Sequence, residues 1–187
     1  GSQLVGSTTY CTKPEAARSI EKVGSVMEIN IEKIAGLRPD LILASNLTSQ
    51  LQVEQLNKLG LRAKTFHQAS SFQEICDQFL TLGKLLGREQ QAKRIIDEAQ
   101  RRVDNVSRAV ERFPKPKVFL QVGAHPLFSS VKKSFTNEYI TLGGGENIAY
   151  ENTSGAMSTE EVLALAPDLI IIAVMGSEDG IGANEKT

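Results

Sequence analysis

Asn30-Ile31-Glu32-Lys33-Ile34-Ala35-Gly36-Leu37-Arg38-Pro39-Asp40-Leu41-Ile42 returns 128 residues later (168 less 40) as Ser158-Thr159-Glu160-Glu161-Val162-Leu163-Ala164-Leu165-Ala166-Pro167-Asp168-Leu169-Ile170. Capping residue, first-turn acid, apolar pair, leucine, Pro-Asp and the start of an apolar strand coincide in the two copies. Each copy reads as a capped helix, a proline stop, and an aspartate able to bond backbone at the strand entry. One such turn is commonplace in α/β chains. Two in register, on either side of a long helical segment, predict two similar lobes and a cleft for a small molecule.

The surrounding segments extend this pattern. Leu41 to Ala44 and Leu169 to Val174 are continuous apolar runs, which predict strands buried on both faces. A helix from Thr48 to Leu59, a strand at Ala63 to Phe66 and a helix over 71–87 follow the first copy, in the order expected of a parallel sheet. Between Arg88 and Phe113 the apolar residues Ala92, Ile96, Ala99, Val103, Val106, Val110 and Phe113 alternate at four and three. They form one narrow stripe on a helix about 39 Å long. The chain is thus expected to divide into an amino-terminal α/β lobe (1–87), a connecting helix (88–113) and a carboxy-terminal α/β lobe (114–187). The fold class is α/β, two parallel-sheet lobes joined by a single long helix. A coiled-coil arm is the alternative for 88–113.

In the second lobe, Val118 to Val122 reads as a strand and Gly123 to Lys133 as a loop. A helix capped by Ser134 is expected to end at Gly143-Gly144-Gly145, and Ser158 with Glu161 forms a capping box. At the amino end, Leu4-Val5 suggests the end of a strand. Ser7 to Lys13 suggests a polar turn, and Pro14 the start of a short helix over Glu15 to Ser19. The tail from Gly176 to Thr187 is Gly-rich, polar and expected to be poorly ordered.

Composition narrows the function. The 187 residues are 41% hydrophobic and 23% charged, with net charge −1, so a packed core is available and a nucleic-acid footprint is absent. Asp168 interrupts the longest apolar run, which leaves no membrane-spanning segment. Gly1-Ser2 reads as a remnant of expression or trimming, so a missing leader says nothing about location. Cys11 and Cys76 have no metal-site spacing and read as two packed thiols, with a disulfide as the alternative. No nucleophile–base motif, zinc motif or phosphate loop occurs, so catalytic residues, metal ligands and cofactors are all expected to be none. His125 stands alone in its loop and is not read as a ligand for haem or metal.

Four stretches carry a family resemblance: Val5 to Cys11, Asn30 to Ile42, Val118 to Gly123, and Gly143 to Ile148. In this order the chain resembles the helical-backbone class of ABC-transporter substrate-binding proteins. These carry vitamin B12, ferric siderophores or haem to an inner-membrane permease. The stretch from Val118 to Ile148 is most similar to the cobalamin-binding branch. The resemblance implies a non-enzymatic, extracytoplasmic binding protein, periplasmic or lipid-anchored. Its ligand would be a corrinoid or ferric siderophore, and its partner an ABC permease. A monomer is expected, with a dimer through exposed lobe edges as the alternative. The chain departs from the family in lacking a strand ahead of Leu4 and several elements beyond Val174, which suggests truncation at both ends. Gln50 stands where the family carries a docking acid, which puts the usual salt bridge to the permease in doubt.

The resemblance nominates Tyr10, and position along the chain nominates the other candidate residues. Tyr10 lies in the loop where the family sets an aromatic against its ligand. Ser45 and Asn46 follow the strand ending at Ala44, at the carboxyl edge where open parallel sheets bind ligands, with helix capping as the alternative. Pro126, Leu127 and Phe128 form an apolar loop that either touches ligand or closes the lobe. Tyr150 is placed to face the cleft. The rival readings are an enzyme or metallocluster-assembly subunit of similar shape, which needs a Cys or His cluster, and an assembly module using helix 88–113 as an arm.

Overall fold

A computed structural model describes residues 3–124 and 126–173. The chain divides into two compact units, Gly1–Gln68 and Ala69–Thr187. The expectations for His125 and for the tail from 176 to 187 lie outside the described residues.

In the first unit the repeat's opening copy forms α1 (Ile31–Leu37), where the Asn30 side chain accepts from the Lys33 amide at 2.8 Å. Proline disfavours the right-handed well for the residue before it, and Arg38 takes the left-handed conformation instead, at φ 47°. The chain then enters β1 (Ile42–Ser45), crosses through α2 (Gln50–Lys58) and returns as β2 (Ala63–Phe66), parallel to β1 in a two-stranded sheet. Ser49 caps α2, and Leu56 on its inner side is 1% exposed. No residue of β1 is fully buried, contrary to the burial expected on both faces. Leu4 and Val5 join no ladder either. Pairing begins at Ser7, bridged in parallel to Lys22, and a 3-10 turn spans Glu15–Ser19.

The second unit opens with two helices, α3 (Phe72–Leu85) and α4 (Glu89–Val110). They meet at Gly83, where a Cβ would lie 2.5 Å from that of Ala92. At 22 residues α4 is about 33 Å long. Its buried or half-buried line runs through Ala92, Ile96, Ala99, Val103, Ser107 and Val110, while Val106 and Phe113 are exposed. The stripe read from the sequence therefore drifts by one position near its end. Ser107 takes the inner place because its hydroxyl donates to the Leu142 carbonyl at 3.1 Å.

β3 (Lys117–Gly123) is the centre of a five-stranded sheet. It pairs in parallel with β5 (Glu146–Asn147) and β7 (Leu169–Ile172), and antiparallel with β4 (Leu127–Ser129), which pairs antiparallel with β6 (Ala156–Met157). The sheet is thus mixed where a parallel one was expected, because the stretch read as a loop from Gly123 to Lys133 turns back as a hairpin. β3 is buried on both faces: Phe119 joins Ala149, Met157 and Val162, while Val118 and Leu120 join Ile140 of α5 (Phe135–Leu142). Ser134 precedes α5 but makes no side-chain cap; its hydroxyl donates to the Val131 carbonyl.

The repeat's second copy forms α6 (Thr159–Leu165) with both halves of the capping box, and Ala166 repeats Arg38's left-handed turn at φ 47°. Asp40 and Asp168 lead into strands of different sheets. Only Asp168 shows the expected side-chain bond among the described residues, accepting from the Lys117 amide at 2.8 Å. β7 itself corrects the reading of a buried strand: its four apolar residues are 41–55% exposed. The described residues place a strand against one edge of β7 and leave its faces largely bare.

Candidate functional site

In the first unit, Tyr10 sits on a turn that is fastened from two sides. Thr9 donates its amide (2.8 Å) and its hydroxyl (3.1 Å) to the Gly24 carbonyl. The half-buried Lys22 ammonium donates to Ser7 Oγ (2.9 Å), the Cys11 carbonyl (2.8 Å) and the Ala17 carbonyl (3.0 Å). The turn is held by its backbone while the Tyr10 ring is 83% exposed. A ring presented this way offers a large contact area with little further ordering on binding. Nothing in the sequence singled out Lys22; the three residues it joins lie five, eleven and fifteen positions before it, without a period.

Ser45 closes β1, and its hydroxyl accepts from the Leu47 amide at 3.2 Å, a local turn bond. The helix cap considered for it belongs to Ser49. Asn46 donates its amide to the Phe66 carbonyl at 3.1 Å, and its exposed side chain makes no hydrogen bond among the described residues. Thr48, just beyond, is buried and donates to the Val26 carbonyl at 2.8 Å, which fixes the loop end. Gln50 opens α2 and donates to Glu54 one turn later.

In the second unit, Pro126 is exposed in the β3–β4 turn, while Leu127 and Phe128 lie on β4 and alternate in direction. Leu127 packs against the Phe119 cluster, and Phe128 is 37% exposed. Phe128 lies over two glycines, since a Cβ on Gly123 or Gly155 would come within 3.3 Å or 3.5 Å of it. Tyr150 follows β5 half-buried, with the Lys132 ammonium 4.8 Å from its ring centroid. It lines an open concavity of about 800 Å³ together with Ser70, Ser71, Lys132, Lys133, Asn137, Glu138 and Thr141. Of the nominated residues only Tyr150 is in this lining. The others here were illegible in sequence because they converge from the approach to α3, the β4–α5 loop and α5.

Among the described residues no group of three or more His, Cys, Asp or Glu side chains comes together. Cys11 and Cys76 are both free thiols, and burial, with Asp77 beside it, pushes the Cys76 thiol up. No described helix is long and apolar enough to cross a membrane.

The family model described as "Periplasmic binding protein" matches residues 1–186. The chain belongs to that family. Among its relatives, an uncharacterised ABC-transporter substrate-binding lipoprotein of Bacillus subtilis (strain 168) is 29% identical over 98% of this chain and 59% of its own length. A vitamin B12-binding protein of Salmonella paratyphi A is 34% identical over 93% of this chain and 66% of its own. The chain thus spans less than two thirds of these relatives. Among solved structures, a Staphylococcus epidermidis protein described as a possible iron-binding periplasmic solute-binding protein superposes with a TM-score of 0.79 at 27% identity. That match covers 92% of this chain and 69% of that one.

Proposed function

We propose that this periplasmic binding protein captures a bulky metal chelate outside the cytoplasm and delivers it to an ABC permease, without catalysing a reaction. A corrinoid ranks first as ligand, a ferric siderophore or haem next. The observation that supports this most is the family match over 1–186, joined to relatives whose names specify vitamin B12 and substrate-binding lipoproteins of ABC transporters. An outward aromatic on a fastened turn (Tyr10), the exposed Asn46 side chain, Pro126, Phe128 and Tyr150 offer the ring faces and polar tips that a flat macrocycle needs. Ser45 and Leu127 would act from beneath, by shaping the loops that carry these contacts. The name of the Bacillus subtilis relative supports an extracytoplasmic location, in the periplasm or on a lipid anchor.

Titration with cyanocobalamin, a ferric siderophore and haemin, read by absorbance and calorimetry, tests the assignment. Saturable one-to-one binding of one of them at about micromolar affinity or better is expected. Saturable binding of none rejects it.

A further inference from the structure

The concavity around Tyr150 carries two ammonium groups against one carboxylate. Lys132 and Lys133 line it, and neither forms an ion pair among the described residues, where the two ion pairs are Lys33–Glu21 and Lys93–Glu89. Asn137 is 6% exposed and accepts on Oδ1 from Asn147 at 2.9 Å, while its Nδ2 donates to no described residue. Among the described residues no buried side-chain nitrogen or oxygen is left without a partner, and Asn137 is itself part of the lining. The one carboxylate in the lining, Glu138, accepts on one oxygen from the Phe72 amide at the start of α3. Lys132 is held over the Tyr150 ring, which keeps one ammonium beside the aromatic wall.

Two ammonium groups against one carboxylate, with an amide donor and a ring beside them, suit an anionic oxygen group attached to a flat body. We propose that this concavity is an anion subsite, with Lys132, Lys133 and Asn137 Nδ2 holding a carboxylate or phosphodiester carried by the imported chelate. The inference rests on the transport reading and adds to it the chemistry of one ligand substituent. A carboxylate would come from haem side chains, a phosphodiester from the nucleotide arm of cobalamin.

The test pairs each parent ligand with a partner lacking its anion: haemin with its dimethyl ester, and cyanocobalamin with dicyanocobinamide. Wild type, the double variant Lys132→Gln/Lys133→Gln and the control Lys115→Gln are titrated with all four at low and moderate salt. All three lysines are exposed, so each variant keeps the fold. For whichever parent binds, wild type and the control are expected to prefer it about tenfold over its partner, less at higher salt. The double variant is expected to lose that preference, with the partner ligand binding as before. A preference that persists undiminished in the double variant, or that is absent from wild type, overturns the subsite while leaving the transport reading intact. Binding of neither parent overturns the subsite, and the transport reading falls with it only when a ferric siderophore fails to bind as well.

Discussion

Single residues show where stability and binding diverge. Lys22 joins three stretches of the first unit through charge-assisted bonds to Ser7, Cys11 and Ala17. Lys22→Met keeps the stem and removes the donors; urea unfolding is expected to show a loss of about 1–3 kcal/mol. Tyr10→Ala removes a ring that is almost wholly exposed, so stability should stay within about 0.5 kcal/mol, while affinity for the bound chelate falls about tenfold. Ala166 and Arg38 hold left-handed conformations that cost a side chain about 1–2 kcal/mol. Ala166→Gly is therefore expected to stabilise by about 0.5–1 kcal/mol after the added flexibility of glycine is offset. The repeat made the helix ends at both positions legible, because residues before Pro39 and Pro167 are disfavoured from continuing the helix, but not the left-handed turn itself. Lys22 was not legible, since its partners are set by the path of the loop and leave no periodic trace.

Helices were easier to read than strand environments. The caps at Asn30, Ser71 and Ser158 act locally, so three or four residues determine them. Glu161 of the Ser158 box has its carboxyl held below the ordinary value of 4.5 by hydrogen bonds, the Ser158 amide first and its hydroxyl second. A lowered folded value means that the ionised form stabilises the helix above pH 4.5, and that this contribution is lost as pH falls through the lower folded value. Acid unfolding curves of Glu161→Gln should accordingly be flatter over that window and converge with wild type below it. The α3–α4 contact makes a second test. Gly83→Ala gains helix propensity of about 1 kcal/mol but drives a methyl into Ala92, costing about 1–3 kcal/mol. A net loss is expected in urea, relieved in the double variant Gly83→Ala/Ala92→Gly. The strands misled the reading for a different reason. An apolar run reports a tendency to be covered and does not identify what covers it, and residues 3–173 leave Leu169 to Ile172 about half exposed. The hairpin of β3 and β4 was hidden because β4 is three residues long, too short for an alternation to register.

At the scale of the whole chain, the 128-residue repeat places its two aspartates at the entries to separate sheets, each inside its own compact unit. The second unit has its own core on both faces of β3. Residues 69–187 alone are expected to retain helical circular dichroism and a cooperative urea transition, and a featureless slope would contradict their independence. The nominated ligand contacts fall in both units, which is the part of the proposed function that exchange measurements read most directly. Amide hydrogen exchange should be followed by mass spectrometry with and without a saturating chelate, whichever of the three ligand classes binds. On binding, protection is expected in the nominated segments, those carrying Tyr10 and Ser45–Asn46 in the first unit and Pro126–Phe128 and Tyr150 in the second. Protection absent from all of these segments while the chelate is demonstrably bound would contradict the proposed function.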